Sequence, residues 1–74
     1  MIEVGQLRRW TWQNSPLPVA WEGKTFLVVE ESPRWIDRDG RCHSDWTFII
    51  DGDLETGWRD EDIERFSEVI SEAG

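Results

Sequence analysis

The sequence predicts an all-β domain, and three observations carry the prediction. "TFLVVEE" (25–31) is a strongly apolar strand that ends where its two glutamates leave the core. "DWTFIID" (45–51) alternates, so Trp46, Phe48 and Ile50 share one face while Thr47, Ile49 and Asp51 share the other. Turn formers, including two Asp-Gly steps at 39–40 and 51–52, fall at short intervals between the apolar runs.

Taken in order, "GQLRRWTWQ" (5–13) is rich in aromatic and β-favouring residues and reads as a first strand. "NSPLPVAWEGK" (14–24) holds two prolines and a glycine and reads as a loop over one end of a small barrel. Within 32–45, Asp39-Gly40 is placed as a two-residue hairpin tip, which sets Trp35 opposite Ser44 and Glu30 opposite Ile49. Pro33 lacks an N–H and so belongs at an edge or a bulge, and the outer part of this hairpin is expected to be irregular. Trp46, Phe48 and Ile50 form the core-facing set of the next strand. Asp51-Gly52-Asp53 turns the chain tightly, and "LETGW" (54–58) returns as a short strand. The tail, "RDEDIERFSEVISEAG" (59–74), admits two readings. Ile63, Phe66 and Ile70 fit one helix with Asp60 as its N-cap, or a single turn spans 60–66 and "SEVI" closes the sheet.

Residues 1–74 are read as a single domain near the lower size limit for independent folding. The usual supplements to a small core are missing from the composition. One cysteine allows no internal disulfide, and Cys42-His43 has no second Cys or His to complete a zinc site, so no metal or cofactor is expected. The six tryptophans therefore read first as core, at least four of them mainly so. Each buries about 150–250 Å², or at most about 4–6 kcal/mol at about 25 cal/mol per Å². Neighbours on a strand face opposite ways, so Cys42 and His43 make a poor nucleophile–base pair and no enzyme is expected. "DGDLE" lacks the twelve-position ligand pattern of a calcium loop, and the acids at 60, 61, 62 and 64 read as a solvated capping turn. The net charge is −8, unevenly placed: residues 1–50 carry seven acids against six bases, residues 51–74 nine against two. Such a surface keeps a Trp-rich chain dispersed and repels duplex DNA, so nucleic acid is not the expected partner. No apolar run approaches the ~20 residues of a membrane span. "MIEVGQLRRW" is not a signal peptide, which, with a free cysteine, places the expected location in a cytoplasm.

The order of segments, "VGQL…W", "FLVVEE" after a Pro-rich loop, a long hairpin into "FIIDG", then "GW", "DEDIERF" and "EVISE", resembles an SH3-like small β-barrel. It is similar to small uncharacterised SH3-like proteins of tailed bacteriophages, especially those of marine cyanobacteria. The resemblance covers nearly the whole chain. It implies five short strands, a long first loop and one 3₁₀ or α turn before the last strand. It carries over no functional residues, because such barrels host unrelated roles. The chain has no Tyr and no "ALYDY"-like segment, unlike SH3 domains that bind proline-rich peptides.

Two surfaces stand out. "RWTW" sets Trp10 and Trp12 on one face beside Arg8 and Arg9, so that both are core or one is an exposed anchor, and Trp and Arg are favoured as interface anchors. The 34–43 hairpin gathers Arg34, Trp35, Arg38 and Arg41. The expected role is a non-enzymatic protein-interaction module, phage or mobile-element encoded, that docks an exposed Trp/Arg patch on a protein partner. The alternative is nucleic-acid-related: an acidic DNA mimic, or a weak single-strand binder using Arg34, Trp35, Arg38 and Arg41. Self-association is also expected, as a dimer that sets the basic hairpin tip of one copy against the acidic turn of the other.

Overall fold

Alternation decides the sheet. The computed structural model of the chain describes residues 1–11 and 19–72. Along β5 (Asp45–Ile50), Trp46, Phe48 and Ile50 are buried and Ile49 faces out, as the pattern requires. The same rule places Phe26 and Val28 of β2 (Thr25–Glu31) in the core with Leu27 outside. With β1 (Leu7–Trp10), β6 (Asp53–Arg59) and β7 (Ser67–Ser71), these strands form one antiparallel sheet in the order β6-β5-β2-β1-β7. Four strands run as a meander, and the last returns to lie beside the first. Two short strands, β3 (Trp35–Ile36) and β4 (Cys42–His43), pair separately. Among the described residues β6 and β7 are not hydrogen-bonded to each other, and the short helix α1 (Asp60–Phe66) packs on both. No described helix is long and apolar enough to cross a membrane.

The tail therefore takes the second of its two readings. α1 stops after seven residues, and "SEVIS" pairs with β1. Ile63 is fully buried under the sheet and fixes the helix, while Asp60, Glu61 and Asp62 in its first turn and Arg65 in its last match the helix dipole. Asp60 is the first helical residue rather than the N-cap. Its carboxylate is directed at His43 and the Ser44 amide instead.

The first hairpin differs from expectation in register. Trp35 pairs with His43, not Ser44, and Glu30 with Thr47, not Ile49. The cause at the tip is Asp37. Its Oδ1 accepts from the amides of Asp39 (2.8 Å) and Arg41 (3.0 Å), and its own N–H donates to Arg41 O at 2.9 Å, closing a three-residue loop. Gly40 alone takes positive φ, 79°. The remaining offset arises between the Trp35–His43 pair and Ser32, whose N–H donates to Asp45 O, and a bulge between Val28 and Glu30 shifts the register once more farther from the tip. The two-residue geometry occurs at the other Asp-Gly step: Asp51 and Gly52 both have positive φ, 51° and 79°, and Ile50 pairs with Asp53.

Rings fill the interior. Trp10 lies 4.4 Å from Phe26, 5.5 Å from Phe48, 6.0 Å from Trp21 and 5.9 Å from Trp58, centroid to centroid. A contact between β1 and β6 rings shows that the sheet curls around this cluster. Trp10 and Trp46 are buried, and Trp21 and Trp58 pack against the core, so four tryptophans serve it.

Candidate binding cleft at the histidine end of the sheet

At the other end of the interior the groups are polar. β4 presents Cys42 to solvent and turns His43 inward, where its side chain is 4% exposed. The Asp37 carboxylate that organises the hairpin with one oxygen meets His43 Nε2 with the other, at 2.7 Å. On the opposite side of the ring, Nδ1 lies 3.3 Å from Asp60 Oδ1 and 3.6 Å from Glu61 Oε1, both supplied by the start of α1. Carboxylates at both ring nitrogens favour the doubly protonated imidazolium. The hydrogen bond that Nε2–H donates to Asp37 is the largest influence and raises the His43 pKa above its ordinary value, against the opposing effect of burial. The same bond, with the Arg41 and Asp39 amides, holds the Asp37 carboxyl below the usual range. Trp35 packs 4.9 Å from the imidazole, and the Arg59 guanidinium sits 5.1 Å from the Trp35 ring centroid. Ser44 completes the network by donating from Oγ to Glu31 Oε2 at 2.6 Å.

Beside this network lies a cleft of about 450 Å³ between the N-terminal segment and the hairpin. Ile2, Val4 and Trp46 supply apolar walls, and Glu3, Glu31, Asp60 and Glu64 supply carboxylates. Arg34 and His43 are the side-chain cations lining it. His43 is already engaged by Asp37 and Asp60, and Arg34 is 4.0 Å from Glu31. The Met1 ammonium, which also lines the cleft, is 3.8 Å from Glu64, so among the described lining carboxylates Glu3 alone has no ion-pair partner above the apolar floor.

The residues singled out from the sequence scatter. Arg8 and Trp10, candidates for a docking surface, are interior, 4% and 1% exposed, so Trp10 takes the core alternative. Both alternate inward along β1, and only Arg9 of that stretch faces out, where it pairs with Glu68. Arg8 is held by neutral groups: Nε donates to Ser67 Oγ at 2.8 Å and Nη1 to Gln6 Oε1 at 2.7 Å. Burial lowers its pKa, partly offset by Glu64 and Glu72. Trp12 lies outside the described residues. Arg34, Arg38 and Arg41 are exposed around a half-buried Trp35, but of the three arginines only Arg34 lines the cleft. Arg41 instead borders a depression of about 300 Å³ with Glu61, Asp62 and Arg65. Basic tip and acidic turn, expected to meet between two copies, are thus neighbours within one. The sequence reading missed the His43 network and the cleft. The one available signal was Asp37 three residues before Gly40, a turn-opening aspartate with a second oxygen to spare. Compared with known proteins, the chain matches no family model, and no curated protein or solved structure is significantly similar to it.

Proposed function

We propose that the chain is a small non-enzymatic interaction module of the SH3-like barrel type, and that it docks a basic segment of a partner protein in the cleft beside His43. The strand order, with the last strand beside the first and a single short helix before it, supports the barrel. The observation that carries the docking is the cleft's charge: four carboxylates line it over an apolar floor against three cations, with Asp60 paired to His43, Glu31 to Arg34 and Glu64 to the Met1 ammonium, and Glu3 without an ion-pair partner among the described residues. A lysine or arginine from a partner lays its alkyl stem on Ile2, Val4 and Trp46 and its charge among Glu3, Glu31 and Glu64. The net charge of −8 steers such a partner from a distance. Stacking of a nucleic-acid base on Trp35 is the weaker reading, because His43 and Arg59 already contact that ring.

The test is titration of the protein with a capped peptide alternating leucine and arginine, read by tryptophan fluorescence, since Trp46 lines the cleft. Saturable binding is expected, weakened at least about tenfold by Glu31→Lys or Glu64→Lys but not by Asp53→Lys. Asp53 is exposed and does not line the cleft. No saturation up to about 1 mM, or equal loss from Asp53→Lys, overturns the reading. The second of those results is what a diffuse acidic mimic of DNA would give.

A further inference from the structure

Neutral His43 has one N–H for two carboxylates. Nε2 lies 2.7 Å from Asp37 Oδ2, whereas Nδ1 lies 3.3 Å from Asp60 Oδ1. On deprotonation the shorter bond keeps the remaining proton, and a bare Nδ1 lone pair then faces Asp60. Asp60 retains the amides of Glu61 (2.7 Å) and Ser44 (3.4 Å) but has no other ion-pair partner among the described residues. The two acids also differ in position. Asp37 does not line the cleft, while Asp60 lines it with a side chain 28% exposed. The proton on His43 therefore sets whether Asp60 is matched from behind or open to an occupant.

We propose that a proton on His43 and a cation in the cleft compete for Asp60, so that docking of a basic segment releases the Nδ1 proton to solvent and tightens as pH rises. The linkage rests on the cleft being the docking site for such a segment. It adds Asp60 to Glu3, Glu31 and Glu64 as a fourth contact, one that only the neutral imidazole leaves free. Because His43 itself lines the cleft, an imidazolium also repels the guest charge directly. The competition is reciprocal: the occupant weakens proton binding by the same factor by which the proton weakens the occupant's. The other charged groups approach from several elements. From α1, Glu61 lies 3.6 Å from Nδ1 but is outside the cleft lining. From the hairpin loop, Arg41 reaches Asp37 through its backbone amide. From β6, Arg59 sits over Trp35, and from β2, Glu31 is shared by Ser44 and Arg34. Among the described residues, Asp60 is the carboxylate that both pairs with the ring and lines the cleft.

The capped leucine–arginine peptide tests this when titrated at about pH 5.5 and about pH 9, on either side of the ordinary imidazole range, into wild type and His43→Gln. Thiols and α-amino groups also titrate in this interval, and Cys42 and Met1 line the cleft, but both are retained in His43→Gln. The gain in affinity from the lower to the higher pH is expected to be at least about fivefold greater in the wild type, the lower end of ordinary coupling between two sites. A second measurement needs no variant. The chain has one histidine, so its imidazole resonances are unambiguous in the wild type. Saturating peptide is expected to lower their titration midpoint by at least about 0.7 of a pH unit, the same fivefold read from the proton's side. Peptide binding with equal pH dependence in the two proteins, affinity that falls as pH rises, or a midpoint that peptide leaves unmoved overturns the proton linkage and leaves the docking itself standing. No saturation at either pH overturns both. If His43→Gln does not fold, the imidazole midpoint decides alone.

Discussion

Around Trp10 the interior is made of ring faces, whereas around His43 and Arg8 it is made of directed hydrogen bonds. In the first region Trp10, Trp21, Phe26, Phe48 and Trp58 meet at centroid distances of 4.4–6.0 Å, and any well-packed set of large apolar side chains would serve nearly as well. In the second, each group has a named partner: Arg8 holds Ser67 from 59 positions away, and His43 holds Asp60 from 17. The aromatic region supplies bulk stabilisation. The polar region fixes where the chain's late segments dock, α1 against the hairpin and β7 against β1. A chain this short has little area to bury, and it uses the second kind of contact to place elements that the first kind alone would leave free to slide.

The largest test of that division is Trp10→Ala. Trp10 is 1% exposed and touches four other rings, so its removal leaves a cavity that flanking strands cannot close. The expected cost is about 3–5 kcal/mol, a large part of the total stability of a small domain. Urea unfolding followed by circular dichroism checks it. A loss under about 1 kcal/mol would show that the ring cluster is not the main source of stability and would reverse the comparison.

Arg8 gives an intermediate effect and separates packing from polarity. Arg8→Ala removes the stem and leaves the buried Gln6 Oε1 without its donor, at an expected cost of about 2–4 kcal/mol. Arg8→Met keeps the stem but likewise leaves Gln6 Oε1 without its donor, at an expected cost of about 1–3 kcal/mol. The unfolding free energies are expected in that order. Equal losses would show that the hydrogen bonds to Gln6 and Ser67, not the packed stem, are what the position contributes.

The aromatic region was legible in the sequence because it rests on local alternation. Trp46, Phe48 and Ile50 read directly as an inner face, and all three are buried. The polar region was not, because its partners lie far apart along the chain and become neighbours only through the topology. Arg8 shows how a usable signal was passed over. It stands two residues before Trp10, so one strand face holds both, and a buried Trp10 brings Arg8 inside with it. The hairpin register failed for a different reason. The two turns share only the Asp-Gly dipeptide, and Asp37 caps the first with its side chain and converts it to a three-residue loop, while the second has no such residue and stays a two-residue turn. The tail's two readings were separable only by pairing with β1, a contact spanning nearly the whole chain.

The smallest effect is the most diagnostic, because only the polar region responds to pH. His43 has its folded pKa raised, first by Asp37 and further by Asp60 and Glu61, with burial among Trp35 and its neighbours acting against them. A raised value in the folded state means that the contribution is complete below the ordinary imidazole range, about 6.5, and is lost as pH rises through the folded value. Asp37 moves the other way. Its contribution is complete above the ordinary carboxyl range, about 3.9, and is lost as pH falls through its lowered folded value. The pair therefore stabilises most between about pH 4 and 6.5 and declines on both sides. His43→Gln keeps a side-chain donor of similar reach but cannot charge. The difference in melting temperature between wild type and His43→Gln is expected to be greatest near pH 5–6 and to shrink steadily toward pH 9, while the difference between wild type and Trp10→Ala stays level across the same range. A His43→Gln difference that is also level would mean that the imidazole contributes by packing against Trp35, and the polar region would then be held by the same force as the aromatic one.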